Sequence, residues 1–125
     1  MLYFFLVGKN SLICLVGKLI LYSSGRFRSL EHRRLVVAEA LESDERFSDI
    51  KVCVEANEAL RDDVMKRTTA VQTVVLEEVM TSPDGRKRGF VIGNTHLYFR
   101  PDADHIRLIQ IAVCLRQLEQ VRQFH

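Results

Sequence analysis

Ser82-Pro83-Asp84-Gly85 stands between two runs rich in Val, Ile and Thr, residues 70–80 and 89–97. Pro presets φ at the first turn position, Asp can bond its own backbone and Gly tolerates positive φ, so the chain must reverse here. Two β-prone runs flanking such a reversal pair as an antiparallel hairpin. The second run ends on a polar triplet, Asn94-Thr95-His96, and a loop punctuated by Pro101 leads to an apolar pattern from Asp104 onward. There Leu108, Ile111, Leu115 and Leu118 recur at helical spacing, with Ile109 and Val113 widening the stripe. A hairpin over about 70–97 and an amphipathic helix over about 104–122, packed apolar side to sheet, place the chain in the α/β class.

The earlier chain is less constrained. Residues 1–22 are apolar but interrupted, with Leu2–Val7, Leu12–Val16 and Leu19–Tyr22 separated at Gly8-Lys9 and Gly17-Lys18. A membrane span needs roughly 18 consecutive apolar residues, so short strands joined at the Gly-Lys turns are expected and a span is not. The start Met1-Leu2-Tyr3 lacks the positive charge that opens a targeting signal. Arg26, Arg28, Arg33 and Arg34 form the densest basic cluster, suited either to a solvated face or to a phosphate backbone. Leu35–Leu41 reads as strand, and Ile50–Val54 alternates weakly. Asn57–Arg67 reads as a short amphipathic helix capped by Asn57, with Leu60 and Val64 on one face.

A chain of 125 residues, 47% hydrophobic and 27% charged, can bury one core and is too well supplied with apolar side chains to be disordered. Eighteen basic against sixteen acidic residues leave a net charge of +2, so any attraction for nucleic acid must be local. Cys14, Cys53 and Cys114 make no Cys-x-x-Cys pair and read as buried thiols. His32, His96, His105 and His125 have no metal-site spacing. A polar triplet at a strand end, ahead of a loop and a helix, is where α/β sheets put binding groups. The alternative is one histidine packed under a loop.

Asn94-Thr-His-Leu-Tyr-Phe-Arg-Pro101 with Ile106-Arg-Leu-Ile-Gln110 resembles the endonuclease/exonuclease/phosphatase family. Within the family it is most similar to the mitochondrial 2′-phosphodiesterases, neighbours of the nocturnin, angel and deadenylase enzymes. The likeness runs from about Leu21 to Val121, taking in Phe27–Leu30, Glu39–Leu41 and Arg67–Leu76. It implies a two-sheet α/β sandwich, present here in part as residues 21–125, with residues 1–20 an apolar segment outside the likeness. It also implies a magnesium-dependent phosphodiesterase or 3′-5′ exoribonuclease that cleaves 2′,5′-oligoadenylate or poly(A) RNA in the mitochondrial matrix, the cytoplasm being the alternative. RNA or oligoadenylate is the implied partner, with no DNA specificity. On this resemblance His96 is the catalytic histidine that donates to the scissile phosphate. Pro101 is the substrate-binding proline on which an adenine rests, and Asn94 shapes the site beneath them.

The chain departs from the family where metal is held. Gln-Glu, Gly-Asp-Phe-Asn and Ser-Asp-His are all missing; Ser43-Asp44 and Ser48-Asp49 run on to Glu45 and Ile50. Magnesium is thus implied by the resemblance while its ligands are not in the chain. Two readings stay open. One is a partial phosphodiesterase domain. The other is a catalytically inactive piece that binds RNA or protein through residues 26–34, marginally soluble because half a sandwich leaves a sheet face bare.

Overall fold

The computed structural model describes residues 13–16 and 19–125. The chain runs β1 (Ile13–Val16), β2 (Leu19–Tyr22), β3 (Phe27–Val36), α1 (Val37–Ser43), a 3-10 turn (Glu45–Phe47), α2 (Ser48–Glu55), α3 (Glu58–Met65), β4 (Ala70–Glu78), β5 (Gly89–Thr95) and α4 (Asp104–Gln123). Strands β3, β4 and β5 form an antiparallel sheet in that order, and β1 pairs with β2. This is α/β architecture in keeping with part of a two-sheet sandwich. Among the described residues no helix is long and apolar enough to cross a membrane.

The expected turn closes the β4–β5 hairpin. Gly85 N–H donates to the Ser82 carbonyl at 2.9 Å, and Gly85 has φ of +80°, which a side chain would strain. Alternation then splits β4 between two cores. Val71 joins the helices, packing with Val37, Leu41, Phe47, Ile50, Val54, Val64, Ile106 and Val113. On the opposite face Val74 and Leu76 pack with Phe27 and Ile92, and Ile20 of β2 lies against them. These four are buried, so the bare apolar face expected of half a sandwich is not found there. Part of the covering comes from the segment that the family likeness leaves out. Its β1 and β2 are the short strands expected, whereas Leu2–Val7 lies outside the described residues.

Four expectations need correction. Leu35–Leu41 is not one strand: β3 stops at Val36 and α1 begins at Val37. Ala38, Glu39, Ala40, Leu41 and Glu42 are strong helix formers, and burial of Val37, Ala40 and Leu41 follows helical spacing. Ile50–Val54 is helical as well, because the buried pair is Ile50 and Val54 at i, i+4 while Val52 is 67% exposed. Cys114 is buried as expected, but Cys53 is exposed on the outer side of α2, away from that pair.

The fourth concerns α4. Its buried positions are Ile106, Gln110, Val113, Cys114, Gln117 and Val121, whereas Leu108 and Leu115 are 67% and 47% exposed. The helix is rotated from the stripe of leucines, with two glutamines facing in. By contrast, Asn57 caps α3 as its sequence implies, its side chain accepting the Leu60 N–H at 3.0 Å, and Val64 is buried below.

Helix α4 lies close against β5 because Gly93 leaves room for it. A Cβ on Gly93 would come within 2.8 Å of Leu118 Cδ2. We expect Gly93→Ala to destabilise the fold by about 1–3 kcal/mol, read as a lower urea midpoint at unchanged slope. Thiol chemistry offers a second check. Burial pushes the Cys114 thiol up to about 11, so at pH 8 a disulfide reagent should label exposed Cys53 promptly and Cys114 only on unfolding.

Candidate functional site

Directly paired residues of an antiparallel sheet share a face. The register Arg34–Gln72–Asn94 therefore sets one polar row across β3, β4 and β5. It is two residues beyond the apolar pair Val74 and Ile92 on the same face. The row floors a cavity of about 370 Å³, also lined by Lys66 and Arg67 after α3, Thr68–Ala70 entering β4, and Thr95–Phe99 leaving β5. His96 is exposed at its edge and Asn94 is buried in its floor.

The lining contains Arg34, Lys66, Arg67 and His96 and no Asp or Glu. Lys66 is balanced from outside by Asp63 at 2.8 Å, and that hydrogen bond, with the charge behind it, holds the Asp63 carboxyl below its usual range. Neither Arg34 nor Arg67 forms a salt bridge among the described residues. The Arg67 guanidinium lies 3.7 Å from the centre of the Tyr98 ring, and its Nε is buried with no hydrogen-bond partner. Such a lining attracts a phosphate or another anion.

The loop that carries His96 is tied down at several points. Thr95 Oγ1 donates to the Ala70 carbonyl at 2.8 Å, closing the end of the β4–β5 ladder. Gln110, fully buried on α4, accepts the Tyr98 N–H at 3.0 Å through Oε1 and donates from Nε2 to Thr69 Oγ1 at 2.9 Å. One side chain thus joins both strand-end walls of the cavity. A turn earlier, Arg107 donates to the carbonyls of Tyr98 at 3.1 Å, Arg100 and Pro101 at 3.2 Å. Loop backbone that would otherwise need water is satisfied by α4.

Of the residues singled out in the sequence, His96 and Asn94 meet in this cavity. Pro101 lies outside its lining, exposed in the turn before α4. The arginine cluster divides: Arg28 pairs with Glu77 at 2.7 Å, Arg33 pairs with Glu31, and Arg34 alone of the four reaches the cavity. Lys66, Arg67, Tyr98, Phe99, Arg107 and Gln110 were not apparent from sequence as parts of one site. Two signals could have marked Gln110: a glutamine within an apolar helix, and its place at the end of the Ile106–Gln110 stretch that carries the resemblance.

Among the described residues no group of three or more His, Cys, Asp or Glu side chains could hold a metal ion. Magnesium prefers oxygen ligands, carboxylates above all, and a cavity whose charged groups are cations does not suit it.

No protein-family model matches the chain. Curated proteins do. Over 105 residues, 84% of the chain, it is 30% identical to 2′,5′-phosphodiesterase 12 of Rattus norvegicus, 31% to that of Homo sapiens and 30% to that of Mus musculus. The chain spans 17% of the length of these relatives.

Gln110→Met keeps the volume and removes both hydrogen bonds. We expect a loss of about 1–3 kcal/mol, with faster hydrogen exchange at the Tyr98 amide and little change at Val74 in mid-sheet under native conditions.

Proposed function

We propose, from its likeness to a segment of 2′,5′-phosphodiesterase 12, that this chain forms a phosphate-binding wall of a phosphodiesterase site acting on oligoadenylate or RNA. The observation that carries the reading is the lining of the cavity: Arg34, Lys66, Arg67 and His96 with no carboxylate among them. A phosphodiester is an anion at every pH of interest, and guanidinium groups match its oxygens in charge and fork geometry. His96 is the residue that donates a hydrogen bond to a non-bridging oxygen of the scissile phosphate in this reading, which its exposure on the cavity lining supports. Asn94 shapes the floor, and Pro101 offers an apolar surface to an adenine at the loop's far end.

The reading includes 2′,5′-oligoadenylate and poly(A) as substrates, 3′-5′ exonucleolytic cleavage and the mitochondrial matrix as the compartment. Magnesium belongs to it only through carboxylates that this cavity does not contain. The residues present bind and orient a phosphate; none of them is arranged to hold an ion that would activate water. That feature favours a second reading for the chain by itself, binding without turnover.

Fluorescence anisotropy with labelled 2′,5′- and 3′,5′-linked oligoadenylate tests the first reading. We expect binding of both that weakens about tenfold between 50 and 200 mM salt, as neutralisation of a few phosphates requires. His96→Ala should weaken it further. No binding at low salt would remove the phosphate wall. A parallel assay for cleavage with magnesium should show none, and His96-dependent cleavage would remove the binding-only reading.

A further inference from the structure

The basic side chains in and around the cavity are not equally free to act on an anion. Lys66 is paired with Asp63 at 2.8 Å. Arg107, on the helix behind the loop, gives its N–H groups to the carbonyls of Tyr98, Arg100 and Pro101 and to the Asp104 carboxylate. Arg67 is held in another way. Its guanidinium lies over the Tyr98 ring, 3.7 Å from the centre, and among the described residues its side chain makes no hydrogen bond. At that separation only the flat side of the group fits, because an edge-on approach would drive a nitrogen into the ring.

An arginine held by its face keeps its edge. The ring takes the flat side of the guanidinium, whereas the N–H groups that fork a phosphate lie in its plane. A carboxylate partner would fix Arg67 equally well and consume those donors. The ring fixes it and leaves them. Single cation–π contacts are common and by themselves mean little. This one joins two anchored pieces of backbone: the Tyr98 N–H is bonded to Gln110 and its carbonyl to Arg107, and the Arg67 N–H is bonded to the Val64 carbonyl at the end of α3 at 3.2 Å.

We propose that Tyr98 is a positioning residue for Arg67, fixing the guanidinium in the cavity wall so that it grips two oxygens of one phosphate at once. The inference rests on the phosphate-binding reading above and adds which cation forks the phosphate and what aims it. Helix α4 thereby reaches the ligand through Tyr98 without touching it. A lysine in place of the arginine would carry the same charge, but it has neither a planar face for the ring nor a fork for the phosphate.

Anisotropy of a labelled 3′,5′-linked oligoadenylate, followed over a range of salt, tests the role. Arg67→Lys should weaken binding about tenfold and leave its salt dependence unchanged, because the charge is kept and a charge-assisted fork is lost. Tyr98→Leu should weaken it to a similar degree, and Tyr98→Phe, which keeps the ring, should recover the affinity. In the Arg67→Lys background Tyr98→Leu should cost little more, since residues that act as a unit are not additive. NMR gives a readout that needs no ligand: the ring should shift the Arg67 δ-methylene protons upfield in the intact chain and in Tyr98→Phe, and not in Tyr98→Leu. Equal losses from Tyr98→Leu in both backgrounds would overturn the role, because the ring would then serve only to shape the loop. Arg67→Lys that binds as tightly as the intact chain would also overturn it and leave the phosphate wall standing. Tyr98 is half-buried, so should Tyr98→Leu fail to fold, the other two variants decide: unchanged affinity in Arg67→Lys, or no upfield shift in Tyr98→Phe, would overturn the role. No binding by the intact chain at low salt would sink the phosphate reading and this role with it.

Discussion

Gln110 has no contact with solvent, and both ends of its amide are used: Oε1 on the backbone of the loop after β5, Nε2 on the hydroxyl of Thr69 just before β4. A buried amide without partners costs on the order of 1–3 kcal/mol, so this side chain is tolerated only where those groups arrive together. The rotation of α4, the course of residues 96–101 and the opening of the cavity are consequently one arrangement. Arg107, a turn earlier on the same helix, extends it by satisfying three carbonyls of that loop, those of Tyr98, Arg100 and Pro101.

Gln117 gives a useful contrast. It is buried on the same helix two turns further on, and its Oε1 has no hydrogen-bond partner. Thr73 Oγ1 on β4 is likewise buried without one. The buried amide of Gln110 is satisfied at the end of α4 that faces the cavity, whereas the far end is held by Gly93 receiving Leu118 and by surface contacts, Arg116 with Asp49 and Gln120 with Arg46. Exposed ion pairs of that kind contribute little. Close packing over Gly93 is the stronger constraint there.

The sheet face opposite the helices is divided along its length. Val74 and Ile92 belong to an apolar cluster, while the next row on that face is Arg34, Gln72 and Asn94. One register therefore serves two purposes, with the apolar half covered by Ile20 of β2 and the polar half open as the cavity floor. A one-residue slip would exchange the two faces, so the pairing that buries the core is also what assembles the site. Because the cations come from β3 and from the segment after α3, the positive field belongs to no single stretch of chain.

Features set by a few neighbouring residues were legible in the amino-acid sequence. The Pro83-Asp84-Gly85 reversal, the Asn57 cap, the start of α4 near Asp104 and the placing of His96 just past a strand end all follow from local backbone chemistry. So did the likeness to the 2′,5′-phosphodiesterases, carried by contiguous motifs. Tertiary structure decided what depends on partners distant in the chain. Leucine spacing pointed α4 the wrong way, because periodicity counts Gln110 as polar and cannot see the Tyr98 and Thr69 groups that make its burial favourable. The arginine run of residues 26–34 looked like one surface until pairing with β4 gave Arg28 to Glu77 and Arg34 to the cavity. Burial and charge are properties of the assembled neighbourhood, and for this cavity it comes from three strands, the end of α3 and the segments before β4 and after β5.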